Sequence, residues 1–146
     1  MESEREPIIV PTVRTASPSS NLNCLISSSS TRGEYCAFEV ITAPGEGVPL
    51  HVHSREDEVY YIIEGAYEIQ CGGRTFRAEP GAVAVLPRGI PHCFQNPGKA
   101  LSRALTLFIP GGFDEFVQEL NELEPADICY KDKRDAIRQK HGIQML

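Results

Sequence analysis

From Tyr35 to Pro110 the chain is a succession of short apolar stretches, each closed off by glycine, proline or asparagine. YCAFEVIT (35–42) is rich in β-branched and aromatic residues and stops at Pro44-Gly45, which predicts a strand. The run VYYII (59–63) predicts another. AYEIQC (66–71) and RTFRAE (74–79) flank Gly72-Gly73, a two-residue link of the kind that closes a hairpin. Pro80-Gly81 is a further turn, AVAVLP (82–87) a further strand, and HCFQN (92–96) and SRALTLFIP (102–110) lie either side of Pro97-Gly98. Turns at this spacing predict an all-β sandwich or barrel.

The period changes after Gly111-Gly112. In FDEFVQELNEL (113–123), Phe113, Phe116, Val117, Leu120 and Leu123 recur at steps of three and four, with Asp114 and Glu115 near the start, where the helix dipole favours negative charge. This predicts an amphipathic helix lying on the β domain. A second, more polar helix is expected after Pro125 through about KDKRDAIRQK, with Gly142 as its stop and His141 in a dipole or surface role. Ahead of Tyr35, PIIVP (7–11) and LNCLIS (22–27) read as apolar strand pieces, separated by the loop TASPSSN and followed by a long turn through SSSTRGE. The expected organisation is one domain over 1–146: N-terminal strands in 1–34, a barrel core in 35–110 and a C-terminal helical segment in 111–146.

Composition narrows the class. A chain of 146 residues with 41% hydrophobic content can bury a core as one globular unit. Its net charge of −6, with no basic run longer than KDKR, argues against nucleic acid or an anionic membrane surface as partner. The N-terminal MESEREPIIVPTVR lacks the apolar core of a signal peptide and no run approaches a membrane span, so the expected location is cytoplasmic. The cysteines (Cys24, Cys36, Cys71, Cys93, Cys129) are odd in number and lack CxxC spacing. Neither a disulfide framework nor a thiolate zinc site is expected, and most are expected to be small buried residues.

The chemistry concentrates in GEGVPLHVHSREDEVYYIIEG (45–65). His51 and His53 stand two apart, so on a strand their side chains share a face. On the strand that follows, read as the second arm of a hairpin, Glu56 and Glu58 share one face and Asp57 takes the other. Two imidazoles and a carboxylate are most of a coordination shell, and His92, on HCFQN, is the candidate for the missing ligand. A lone histidine on a strand is more often a hydrogen-bonded core residue, but three with an acid at matched spacing favour a metal. Glu56 competes with Glu58 as the acidic ligand, although its place near the turn suits a solvated charge. By the same alternation Tyr60, Ile62 and Phe94 either line a cavity or pack the core, Cys93 points away from the site, and Glu39 takes no assigned face.

The segment G-x5-H-x-H-x4-E-x6-G, from Gly45 through His51, His53 and Glu58 to Gly65, resembles the first cupin motif without substitution. The segment G-x5-P-x-G-x2-H-x3-N, from Gly81 through Pro87, Gly89 and His92 to Asn96, resembles the second. The resemblance implies a jelly-roll β-barrel in which His51, His53, Glu58 and His92 hold one divalent metal. More broadly, AFEVITAPGEGVPLHVHSREDEVYYIIEG, LPRGIPHCFQNPG and FIPGGFDEFVQELNEL look like the small bacterial quercetin 2,3-dioxygenase-like cupins, with a departure at Gln144-Met145-Leu146, where that pattern carries a proline.

Imidazoles and a carboxylate suit Fe, Mn, Co, Ni, Cu or Zn and leave one or two coordination positions open. The leading expectation is a metal-dependent dioxygenase acting on an enolisable or phenolic small molecule with dioxygen, Glu58 serving as ligand and as proton acceptor. The alternatives are a redox-inert cyclase or isomerase, for example of polyketides, and a non-catalytic small-molecule-binding module. Because coordinating histidines must be neutral, metal affinity is expected to fall as pH drops through roughly 6 to 5. The N-terminal apolar pieces lack an evident partner in sequence order, and small cupins pair through such edges, so a homodimer is expected.

Overall fold

The computed structural model describes residues 6–11 and 21–146. The strands are β1 (Leu22–Ile26), β2 (Cys36–Thr42), β3 (Gly47–His53), β4 (Asp57–Glu64), β5 (Tyr67–Cys71), β6 (Arg74–Ala78), β7 (Val83–Leu86), β8 (His92–Gln95), β9 (Ser102–Ile109) and β10 (Ile143–Met145). The helices are α1 (Phe113–Asn121) and α2 (Tyr130–Lys140). One sheet has the order β1-β2-β9-β4-β7 and the other β10-β3-β8-β5-β6.

The antiparallel pairs β2 with β9, β3 with β8, β4 with β7 and β5 with β6 are nested inside one another. The chain is therefore one long ribbon that doubles back at Gly72-Gly73 and wraps so that successive strands alternate between the sheets. That is a jelly-roll barrel, the all-β class expected from the turn spacing and the architecture implied by the motif resemblance. Both glycines of the tip have positive φ, as a tight hairpin link demands.

Alternation along the strands puts the core between the sheets. β9 reads buried and half-buried in strict succession, with Ser102, Ala104, Thr106 and Phe108 inward. Val40, Tyr60, Ile62, Tyr67, Ile69, Leu86 and Phe94 fill one part of the interior. Cys36, Phe38 and Phe108 fill another, where Phe113 and Val117 of α1 close over them. Phe108 and Phe113 stack with centroids 3.9 Å apart, and Phe38 meets Phe113 edge-on at 5.6 Å.

α1 is fixed at its start by Ser28, from a short 3-10 helix between β1 and β2. The Ser28 N–H donates to Asp114 Oδ2 at 2.9 Å and its hydroxyl donates to Asp114 Oδ1, while Ser28 Oγ accepts from the N–H of Gly112 at 2.7 Å. At the other end, Lys140 Nζ and His141 Nε2 both reach Glu119, at 2.6 and 2.9 Å, and tie α2 to α1. His141 is thus a helix-terminal structural residue, as expected. Among the described residues no helix is long and apolar enough to cross a membrane.

Four expectations are corrected. β3 and β4 are not the arms of a hairpin: they lie in different sheets, and Ser54 to Glu56 carry the ribbon round a corner. The segment after Gly111 is not helical throughout, because Ile143–Met145 forms β10 and covers the edge of β3, with Ile143 opposite His53 and Met145 opposite His51. PIIVP is not a strand. Its residues carry no regular structure, and Ile9 is 87% exposed. LNCLIS does form β1, antiparallel to β2, whereas most of TASPSSN and residues 1–5 lie outside the described residues. Of the cysteines only Cys36 is buried; Cys24 and Cys129 are exposed, Cys71 and Cys93 intermediate, and all are free thiols.

Candidate metal centre

The strand register assembles the site. His51 and His92 are paired residues on neighbouring strands β3 and β8, and His53 follows His51 on the same inward face. Glu58 enters from β4 in the facing sheet, so the ligands converge across the barrel interior rather than along one hairpin. All four side chains are buried, and one donor atom from each lies within 4.8 Å of the others. Glu58 Oε1 is 2.8 Å from His53 Nε2 and 3.5 Å from His92 Nε2.

Each histidine is oriented from behind. Nδ1 of His51 is 2.8 Å from the Pro49 carbonyl, Nδ1 of His92 is 3.1 Å from the Ile90 carbonyl, and Nδ1 of His53 is 2.9 Å from Glu56 Oε1. Carbonyls and carboxylates only accept, so each Nδ1 carries a proton and each Nε2 turns inward, that of His53 also donating to Glu58 Oε1 at 2.8 Å in the metal-free protein. Glu56 is accordingly not a solvated charge. It is 5% exposed, shares the inward face with Glu58, and serves as the carboxylate behind His53.

The electrostatics fit a cation. Burial pulls His51 down to about 4, overcoming the opposing bond to Pro49. Burial also acts to lower His53, but its contacts with Glu56 and Glu58 prevail and lift it to about 9. For Glu58, burial favours the neutral acid, yet His53 and His92 hold the carboxyl well below its ordinary range. Glu58 Oε2 and His92 Nε2 are buried and make no hydrogen bond. Buried polar atoms left without partners are costly, and a divalent ion accepting these lone pairs would satisfy both. Three imidazoles, His53 after giving up its second proton, and a carboxylate at this spacing fit such an ion.

A cavity of about 390 Å³ opens onto His51, His53 and Glu58, within the range of small-molecule sites. Its walls are largely apolar and aromatic: Val40, Tyr60, Phe94 and Phe108 from the barrel, Phe113, Phe116 and Leu120 from α1, and Ile143 and Met145 from β10. Tyr60 and Phe94 therefore do both things that their alternation allowed, since each is buried in the core and borders the cavity; Ile62 packs the core. Burial, with the Glu58 carboxylate beside it, keeps the Tyr60 phenol protonated. Cys93 points away, its Sγ 3.6 Å from Gln70 Oε1, and Glu39 sits near Arg103 at 3.6 Å.

The remaining motif residues mark the ribbon's corners. Gly45, Gly65, Gly81, Gly89 and Asn96 each lie where the chain passes from one sheet to the other. Gly65 is the most constrained: its φ is +71°, and a Cβ there would lie 2.8 Å from the Leu101 carbonyl oxygen. Asn96, 1% exposed, donates to the carbonyls of Thr42 and Ala100 at 2.9 and 2.8 Å and accepts from Gly98 N at 2.9 Å. Sequence reading missed Arg138 on α2 and the cover supplied by β10, both of which border the cavity. Glu56 had a legible signal, an acid three residues after a ligand histidine.

Comparison with known proteins agrees with this fold. The family described as "Cupin domain" matches residues 38–108. Germin-like protein 3-7 of Oryza sativa subsp. japonica is 35% identical over 77 residues, covering 47% of this chain and 33% of that protein. A protein of Streptomyces cyaneus named polyketide synthase CurC is 32% identical over 63 residues, covering 43% and 41%. Both matches span well under half of the relative's length. Among solved structures, a predicted oxalate decarboxylase of Thermotoga maritima superposes with a TM-score of 0.59 at 26% identity, over 61% of this chain and 78% of that one.

Proposed function

We propose that this chain, whose segment 38–108 is a cupin domain on a jelly-roll framework, is a metal-dependent enzyme acting on an enolisable or phenolic small molecule, with dioxygenase chemistry as the leading form. The observation that carries the reading is the convergence of His51, His53, Glu58 and His92 at a cavity with aromatic walls. A divalent ion held there supplies a Lewis-acidic centre for an enol or phenol oxygen and, for the redox-active ions, electron exchange with dioxygen.

The chain's own residues do the rest. Glu58, besides being one of the four ligands, takes the proton from the substrate hydroxyl. Phe94, Phe108 and Phe113 hold a planar ring and exclude water, which strengthens each polar contact inside. Glu56 and the carbonyls of Pro49 and Ile90 keep the imidazoles aimed while this happens. The same reading treats 1–146 as one domain.

A second reading keeps the ligands and removes the redox step: a cyclase or isomerase in which His51, His53, Glu58 and His92 would hold a redox-inert ion such as zinc, which would supply Lewis acidity alone. The similarity to the Streptomyces protein named as a polyketide synthase favours it. Oxygen-uptake assays separate the two. Protein loaded in turn with Fe, Mn, Co, Ni and Cu and given flavonols and other enediols should consume dioxygen with at least one ion. No uptake with any form, together with turnover by the zinc form, would overturn the oxidative reading in favour of the second.

A further inference from the structure

The cavity's lining is nearly devoid of positive charge. Arg138, on the last turn of α2, is the one lysine or arginine among the residues that border it. The other residue with a formal charge outside the ligand set is Glu46, ahead of β3. Arg138 reaches the same wall as Ile143 and Met145, the strand that covers the edge of β3 behind His51 and His53.

Three of the four other cations of α2 are engaged elsewhere. Lys133 pairs with Asp127, Lys140 with Glu119 at 2.6 Å, and Arg134 lies against the Tyr130 ring at 5.8 Å. Arg138 is half-sheltered, its side chain 23% exposed, and among the described residues its anionic partner is Asp135, with Nη1 3.5 Å from Oδ1. That distance is at the limit of a hydrogen bond. Asp135 Oδ1 is also 3.6 Å from Arg134 Nε, so a single carboxylate is shared between two guanidinium groups. Net positive charge and most of a planar, five-donor fork are left on a residue that borders both this cavity and the neighbouring surface depression lined by Asp135.

We propose that Arg138 is the anion-recognition residue of this cavity and that the substrate is an enol or phenol that also carries a carboxylate. The inference rests on the reading given under Proposed function and adds the substrate's second handle. The hydroxyl end goes to the four-ligand site, the ring lies against Phe94 and the stacked Phe108–Phe113 pair, and the carboxylate meets the guanidinium in a paired, charge-assisted contact. A ligand held at both ends is oriented as well as bound, which an apolar cavity alone does not achieve.

The test uses the cobalt-loaded full chain, its visible absorption reporting ligand entry, and two probe pairs: caffeate with methyl caffeate, and protocatechuate with methyl protocatechuate. Within each pair the catechol and ring are shared and the carboxylate charge is removed. At least one acid should bind about tenfold or more tightly than its ester, the range of a charge-assisted hydrogen bond. The preference should shrink to near unity in Arg138→Gln, be partly restored in Arg138→Lys, and weaken with added salt in the unmodified protein. Equal affinity of acid and ester in the unmodified protein, or a preference that survives Arg138→Gln, would overturn the proposal while leaving the phenolic reading standing. If neither acids nor esters perturb the cobalt spectrum, the phenolic reading itself fails and the inference falls with it.

Discussion

Glu56 Oε1 stands 2.9 Å from Nδ1 of His53, and both side chains are buried. A carboxylate in this position fixes the tautomer of a ligand histidine and raises its basicity, and losing such a partner costs roughly 10–100-fold in metal affinity. Glu56→Ala should show a loss of that size in a competitive metal titration, and Glu56→Gln, whose amide oxygen still accepts from Nδ1, a smaller one. Unchanged affinity in Glu56→Ala would show that the contact is incidental.

Metal binding should release protons. His53 is held up at about 9 by its two carboxylates, so at pH 7 the metal-free imidazole is protonated and gives up roughly one proton on coordination. Affinity should therefore rise with pH up to about 9, a higher window than free histidine would give. Calorimetry in buffers of different ionisation enthalpy reads the proton count directly. The stability of the metal-free protein carries the opposite sign. A folded value above the unfolded one stabilises at low pH, so this contribution is complete below about 6.5 and is lost as pH rises through about 9. His51, held down at about 4, contributes above about 6.5 and loses that contribution as pH falls toward 4. Melting temperatures of metal-free protein across this span should decline at both ends.

Gly65 should not tolerate a side chain. With φ at +71° and the Leu101 carbonyl oxygen 2.8 Å from a built Cβ, Gly65→Ala combines left-handed strain with a backbone clash. A loss of at least about 2 kcal/mol is expected in denaturant unfolding. A variant as stable as the parent would mean that this corner is not a fixed point of the ribbon.

Much of this was legible in the chain because the jelly roll advertises its corners. Gly72-Gly73, Pro80-Gly81 and Pro97-Gly98 fall where strands end, and the two-residue step from His51 to His53 fixes their shared face whatever strand lies alongside. Pairing was harder to read. VPLHVH and DEVYYII look like the arms of a hairpin because neighbours in sequence usually pair, yet the nested ribbon sends them to opposite sheets. β10 is three residues long after a helix-ending glycine, too short to show a period, and its strand character comes from the β3 edge that it covers. Glu56 was misjudged because acids near turns are mostly solvated. Only the corner's geometry brings it inward to His53.

Val83 and Val85 are 64% and 60% exposed on β7, an edge strand, next to exposed Tyr61 and Ile63 on β4. An apolar edge of this kind is usually covered. A homodimer joined here, rather than through the N-terminal pieces as expected, would bury it, and light scattering at micromolar concentration should give twice the chain mass, with Val85→Lys shifting the protein toward monomer. A monomeric mass for the unmodified protein would refute the dimer.

The central claim is that His51, His53, Glu58 and His92 together hold one divalent ion. Metal content by mass spectrometry, after loading and exhaustive dialysis, tests it most directly on the unmodified protein and on a folded His51→Ala/His92→Ala double variant. The account predicts about one ion per chain in the first and close to none in the second, in keeping with a four-ligand site cut to two. An unmodified protein that retains no ion, or a double variant that retains as much, would contradict it.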